Sequence, residues 1–196
     1  MLDPKEITAV ILAGGEGRRM NGADKGLLPL WGKPLVCHVL ERLRPQVGGV
    51  LINANRNLGE YRKLAPVVQD EGYGYVGPLA GFEAGLTHAP SEWVLFVPCD
   101  SPLVPLDLAS RLCAAVQRHD QIAVVDDGNR LHAATALLHQ SLLPSLCNYL
   151  DGGDRKLQLW YERHQLVPVD FSDEAEAFFN LNTSEALALL EQKGRG

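Results

Sequence analysis

Residues 12–26, LAGGEGRRMNGADKG, set five glycines among Arg18, Arg19 and Lys25. Glycine adopts positive φ at little cost, so successive backbone N–H groups can converge on one anion. Arginine adds forked contacts and lysine a point charge, a combination suited to a polyphosphate. Two well-known glycine loops are excluded by spacing. A dinucleotide fingerprint starts at Gly15 and Gly17 but meets Met20 at its third position. A P-loop on Gly32 and Lys33 would need its first glycine at Leu27 and a hydroxyl residue at Pro34. The second group that could do chemistry is Asp100, which closes the apolar run WVLFVPC and opens the turn DSP. An unpaired carboxylate there would be costly. Mg²⁺ takes one or two carboxylates and completes its shell with water and substrate phosphates, which makes Asp100 the candidate metal ligand.

These residues need elements that bring them together. ITAVILA (7–13) is an apolar run bounded by glycines, as in a strand covered on both faces. Pro34 opens a helix whose Val36, Val39, Leu40 and Leu43 share one face. Strands are expected at 47–55, 66–70, 92–100, 121–126, near 131–138 and in LVPVDF (166–171). Helices are expected at 58–65, 79–88, 105–118, 140–150 and 155–164, with a last one from about Thr183. Asn182, with Glu185 three residues later, is the expected cap of that last helix. Strands alternating with helices imply an α/β fold of three layers around a mainly parallel sheet. Ligands bind such sheets outside the carboxyl ends of the strands. The glycine loop follows the first strand, while Asn53, Asp70 and Asp100 end three others, so the fold would gather them at one edge.

Composition narrows the partners. The chain has 196 residues, 46% of them hydrophobic and 21% charged, which suits one globular domain over 1–196. A net charge of -6 argues against a general nucleic-acid or membrane-surface binder, since both ask for a basic field. An anionic ligand must then be held by local cations, and residues 12–26 are the densest cluster. The four cysteines and six histidines form no C-x-x-C pair and no H-E-x-x-H arrangement. MLDPKEITAVILAGG carries neither a signal peptide nor a membrane span, so a reduced, cytoplasmic setting is expected.

With these residues in place, VILAGGEGRRMNGADKGLLPLWGKPL (10–35) resembles the signature loop of the molybdenum cofactor guanylyltransferases. GPLAG (77–81), PCDSP (98–102) and NLNTSEAL (180–187) match that family's later motifs in order. The resemblance implies a Rossmann-like nucleotidyltransferase fold and Mg²⁺ as cofactor. It also implies a reaction: the terminal phosphate of molybdopterin (or Mo-molybdopterin) attacks the α-phosphorus of GTP, giving molybdopterin guanine dinucleotide and pyrophosphate. Carried over by motif, Leu12, Ala13, Gly14 and Gly15 contact the nucleotide through backbone. Arg19 holds the departing phosphates, Lys25 neutralises charge at the α-phosphate, Asn53 and Asp70 lie on the guanosine side, and Asp100 carries Mg²⁺. Asn180, Asn182, Arg155 and Lys156 match positions near the pterin. Where the family often reads His-Pro, this chain has His132-Ala133, and His132 is expected to be an ordinary strand histidine. Transient contact with other molybdenum cofactor biosynthesis proteins is implied as well.

Phosphoryl-type transfer asks for positioning and charge stabilisation, so no protein nucleophile is needed. A cytidylyltransferase of the same pathway or a sugar-phosphate nucleotidylyltransferase would keep the loop, Lys25 and Asp100, and would differ in its base-reading and acceptor residues. A nucleotide-binding regulatory module could dispense with the transition-state cation that Lys25 supplies.

Overall fold

Side chains alternate between two faces along β1 (Thr8–Leu12), and both faces are apolar. Ala9 and Ile11 point to one buried cluster and Val10 to the other. The same split runs through β6 (Trp93–Pro98), where Leu95 and Val97 face one way and Val94 and Phe96 the other. A strand apolar on both sides must be covered on both sides, and this dictates a three-layer arrangement. The computed structural model describes residues 1–15, 23–71, 77–179, 181 and 183–194. Arg18, Arg19, Asn180 and Asn182 lie outside the described residues.

The central sheet has 7 strands in the order β5-β4-β1-β6-β8-β7-β9. The other strands are β4 (Gly49–Asn53), β5 (Val67–Val68), β7 (Gln121–Asp126), β8 (Leu131–His139) and β9 (Gln165–Asp170). Strand β8 runs antiparallel to both of its neighbours, while the remaining pairings are parallel. Strand β1 is flanked by β4 on one side and β6 on the other, so the connections leave it in opposite directions. That is the switch point where open α/β sheets place their crevice.

One face is covered by α1 (Leu35–Leu43) and α4 (Leu108–Ala115), with Tyr61 of α2 (Leu58–Arg62) at its margin. Val36, Val39, Leu40 and Leu43 form the buried face of α1, as their spacing predicts. The other face carries α3 (Pro78–His88), α5 (Leu143–Asp151) and α6 (Leu157–Tyr161). Helix α3 sits close to the sheet because Gly81 and Gly85 face it, and Phe82 stacks on Phe96 with ring centroids 4.1 Å apart.

Two features depart from the expected pattern. Residues 29–34 form a small hairpin of β2 (Pro29–Leu30) and β3 (Lys33–Pro34). Its turn has positive φ at both Trp31 (48°) and Gly32 (76°), the primed geometry that matches strand twist. The last helix, α7 (Ser184–Lys193), packs Ala186, Leu187 and Leu190 against Leu30 and Leu35 of this region. Its cap is Thr183 rather than Asn182: the Thr183 hydroxyl accepts from the Ala186 N–H at 3.1 Å. Thr183 has the extended backbone (φ -135°, ψ 157°) that an N-cap requires.

At the end of β8, His139 lies face to face with His119 (3.9 Å, 6° between planes) and edge-on to Trp93 (5.0 Å). Its Nδ1 accepts from the Ser141 N–H, so the neutral ring carries its proton on Nε2. Burial, then the neighbouring His119 charge, lowers the His139 pKa below the ordinary 6.5. His164 is lowered too, chiefly by burial. The folded protein therefore binds fewer protons than the unfolded chain just below pH 6.5, and stability is full above that pH and lost as the pH falls. Thermal unfolding should show a falling Tm on acidification from pH 7 to 5.5, with a shallower fall in His139→Phe. An equal slope in the variant would contradict this assignment.

Candidate functional site

Each strand of the switch point delivers one group to the same edge. Strand β1 runs on into Ala13, whose N–H donates to Asn53 O at 2.8 Å, and then into Gly14 and Gly15. Strand β4 ends in Asn53, which is buried with 2% exposure. Asp70 stands two residues beyond β5, and Asp100 two residues beyond β6.

The first cluster joins Asn53, Asn55 and Asp70. Asn53 Nδ2 donates to Asp70 Oδ1 and Asn55 Nδ2 to Asp70 Oδ2, both at 2.7 Å. The Asp70 N–H returns a bond to Asn55 Oδ1 at 2.9 Å. Asn55 Nδ2 also reaches Gly14 O at 3.3 Å. A Cβ added at Gly14 would come within 2.9 Å of Asn53 Oδ1 and 3.0 Å of Asn55 Nδ2, so only glycine lets the β1 loop lie this close to the amides.

The second cluster is an ion pair. Lys25 Nζ lies 2.8 Å from Asp100 Oδ2, across 75 positions of sequence. The Asp100 side chain is 9% exposed and that of Lys25 24%. A carboxylate so enclosed needs a counter-charge, and removing one member of such a pair typically costs about 3–5 kcal/mol. Lys25 starts a single helical turn, Lys25–Leu27, which packs on α1 and meets Tyr61 of α2. The fully buried Tyr61 donates its hydroxyl to Asp24 Oδ1 at 2.5 Å, and Asn57 Nδ2 donates to Asp24 Oδ2 at 2.8 Å. Gly26 lies against the Tyr61 ring, where a Cβ would collide. Arg56 completes the support, with Nη2 at 3.0 Å from Ala23 O and 3.3 Å from Gly15 O.

The electrostatics of this edge favour charge stabilisation over covalent chemistry. Burial, then the Asp100 charge, pushes the Cys99 thiol well above its ordinary range, so it stays a neutral thiol and a poor nucleophile. Burial and the bond to Asp24 raise the Tyr61 phenol strongly, which keeps it a donor. Glu83 on α3 is also raised, by burial and then by the Glu71 and Asp70 charges.

Beside the end of β6, the β8 register jumps from Val124↔Ala136 to Val125↔His132, so residues 133–135 bulge from the ladder. They line a cleft of about 190 Å³ together with Pro98, Arg130, His132 and Gln158. The buried His132 is tied by Nε2 to Asp127 Oδ2 at 2.7 Å. Asp127 is held down at about 2, first by that bond and further by the Asn129 and Arg130 N–H groups, against the upward push of burial. Arg155 and Lys156 are exposed on the turn before α6, and Arg155 Nη1 donates to Leu150 O and Asp154 O, both at 2.7 Å.

Of the residues expected from sequence, the structure thus brings Leu12, Ala13, Gly14, Gly15, Lys25, Asn53, Asp70 and Asp100 to one edge. Sequence reasoning passed over Asp24, Asn55, Arg56, Asn57 and Tyr61. The one available signal was the density of polar side chains in NANRN directly after a strand end.

A mainly parallel sheet with Gly14 and Gly15 at its switch point and a paired lysine and aspartate beyond neighbouring strand ends suits nucleotide chemistry, and the chain carries a nucleotidyltransferase domain. The chain belongs to the molybdenum cofactor guanylyltransferase family: the model of the MobA-like NTP transferase domain matches residues 9–167. It is 50% identical over 187 residues to a molybdenum cofactor guanylyltransferase of Vibrio cholerae, covering 95% of this chain and 92% of that protein. A namesake from Yersinia pseudotuberculosis is 50% identical over 191 residues, or 97% of each chain. The crystal structure of molybdopterin-guanine dinucleotide biosynthesis protein A from Archaeoglobus fulgidus is similar at a TM-score of 0.76 and 26% identity, over 95% of this chain and 97% of that one.

Helix α3 supplies a test of how tightly this edge is packed. Alanine is favoured over glycine inside a helix by about 0.5–1 kcal/mol. At Gly81, however, a Cβ would come within 2.6 Å of Asn53 Oδ1 and 2.7 Å of Leu12 Cδ2. Gly81→Ala should therefore destabilise the protein, by about 1–3 kcal/mol in denaturant unfolding, as overpacking does. A gain in stability would show that α3 has room to move away.

Proposed function

We propose that this protein transfers GMP from GTP to the terminal phosphate of molybdopterin, forming molybdopterin guanine dinucleotide and pyrophosphate. The observation that carries the reading is the Lys25–Asp100 pair beside Gly14 and Gly15, in a chain half-identical to named guanylyltransferases. An acceptor phosphate oxygen forms a bond to the α-phosphorus while the bond to pyrophosphate breaks. Negative charge grows at the α-phosphate in this step, and a fixed cation beside it stabilises the transition state more than the ground state. Lys25 has that role. The backbone of Leu12, Ala13, Gly14 and Gly15 holds the nucleotide, and Arg19 grips the departing phosphates.

Asp100 is the residue that would hold Mg²⁺. Its enclosed carboxylate, whose Oδ2 also meets Lys25, fits that ion because Mg²⁺ asks for only one or two carboxylates when water and substrate phosphates supply the rest. Bound there, the ion would offset triphosphate charge. Guanine presents N1–H and N2–H donors, and the Asp70 carboxylate, steadied by Asn53, is the matching acceptor. On the acceptor side, Asn180, Asn182, Arg155 and Lys156 match positions the family uses near the pterin, and Arg155 and Lys156 are exposed on the turn before α6. His132 is a structural strand residue, a reading its buried bond to Asp127 supports.

No described helix is long and apolar enough to cross a membrane, and all four cysteines are free thiols. The same reading puts the enzyme in the cytoplasm, in transient contact with other molybdenum cofactor proteins, and its net charge of -6 argues against nucleic acid or a membrane surface as partner.

The test is a panel of GTP, CTP, ATP and UTP, each with Mg²⁺ and either molybdopterin or a sugar 1-phosphate, read by pyrophosphate release and dinucleotide formation. GTP with molybdopterin should exceed every other pair by about 10²-fold or more, since a site built to pair polar base edges rejects bases that leave them unpaired. Equal use of CTP would overturn the guanylyl assignment and leave the transferase class standing.

A further inference from the structure

The run Asn55-Arg56-Asn57 after β4 reaches Asp70, the Gly14–Gly15 turn and the segment just before Lys25, yet it belongs to none of the motifs that carry the family resemblance. Each of its three side chains acts on different partners. Asn55 bonds Asp70 twice through its side chain, Nδ2 donating to Oδ2 and Oδ1 accepting from the Asp70 N–H, and it reaches Gly14 O with the same Nδ2. Arg56 takes the carbonyls of Gly15 and Ala23. Asn57, itself in the left-handed region at φ 50°, donates to Asp24 one residue before Lys25.

Two physical consequences follow from this placement. A carboxylate can turn about its Cβ–Cγ bond, and Asn53 alone fixes only Oδ1 of Asp70. Asn55 fixes Oδ2 and the backbone as well, so the plane of the carboxylate is set. Carbonyl oxygens facing an anion would repel it, and Asn55 and Arg56 draw three of them aside. In a trans peptide the N–H points opposite to the C=O, so tying Gly14 O to Asn55 turns the Gly15 N–H the other way.

We propose that Asn55-Arg56-Asn57 is a positioning brace that couples base reading at Asp70 to phosphate binding at Gly14 and Gly15, and that Asn55 thereby sets the preference for guanine. This rests on the guanylyltransferase reading above. None of the three residues is a catalytic group; each acts through another.

The experiment measures binding of GTP and of inosine triphosphate, which lacks only the 2-amino group, by calorimetry with Mg²⁺. Wild type, Asn55→Ala and Arg56→Lys are compared, with kcat for GTP and molybdopterin alongside. Asn55→Ala should weaken GTP about tenfold and inosine triphosphate far less, with kcat within about threefold of wild type, the pattern of lost ground-state binding. Arg56→Lys keeps the charge but cannot span both carbonyls, and should weaken the two nucleotides equally. If Asn55→Ala lowers only the Tm and leaves the ratio of the two affinities unchanged, the brace has no part in base choice and the proposal falls. A wild type with no preference for GTP over inosine or adenosine triphosphate would instead overturn the guanine reading itself.

Discussion

A carboxylate buried at the end of an apolar strand cannot stand without a counter-charge, and most of this edge is arranged around that need. Asp100 ends the β6 turn almost wholly enclosed, and Lys25 meets it at 2.8 Å. Lys25 belongs to the segment after β1, so the pair bridges adjacent parallel strands. To hold the ammonium there, the chain fixes Asp24 with Tyr61 and Asn57, leaves Gly26 bare against the Tyr61 ring, and ties Ala23 to Arg56. Leu181 adds a second restraint: its N–H donates to Asp100 O at 3.2 Å while its side chain is buried with Leu30 and Leu35. The C-terminal segment and the β2–β3 hairpin thus hold the pair from the far side.

Such a pair contributes little net stability, because desolvation offsets most of its Coulomb energy. Under the function proposed above, its use lies in preorganisation. In the reaction proposed above, an ammonium already held in place needs no reorganisation when charge develops at the α-phosphate, and preorganised groups are the larger part of phosphoryl-transfer catalysis. The same logic applies to Asp70, whose two oxygens each accept an amide donor at 2.7 Å. Both carboxylates are oriented by neighbours from other strand ends, so the twist and register of the sheet set their separation.

Much of this was legible in the sequence because the signals are local. Buried parallel strands read as apolar runs, and the polar residues ending them stand out. That was enough for β1, β4, β6 and β7, for the buried face of α1, and for the gathering of Gly14, Lys25, Asn53, Asp70 and Asp100 at one edge. Features set by long-range contact were not legible. The antiparallel direction of β8 depends on pairing with β6 and β7, and its own residues carry no sign of direction. The hairpin has strands of two residues and puts tryptophan at a positive φ, where glycine or asparagine would have announced a turn. Asn55, Arg56 and Asn57 look like ordinary loop polarity, since their partners lie 15 to 41 residues away. Asn182 fitted a capping box, but the extended residue that begins the helix is Thr183.

The role proposed for Lys25 separates chemistry from binding, so one pair of numbers on one variant tests it: the single-turnover rate with GTP and molybdopterin at saturation, and the GTP dissociation constant, for Lys25→Ala with folding verified by circular dichroism. A cation acting on the transition state predicts a rate lower by about 10²–10³-fold with GTP affinity changed far less. Near-normal single-turnover chemistry would contradict it, and would leave the Lys25–Asp100 pair a structural tie.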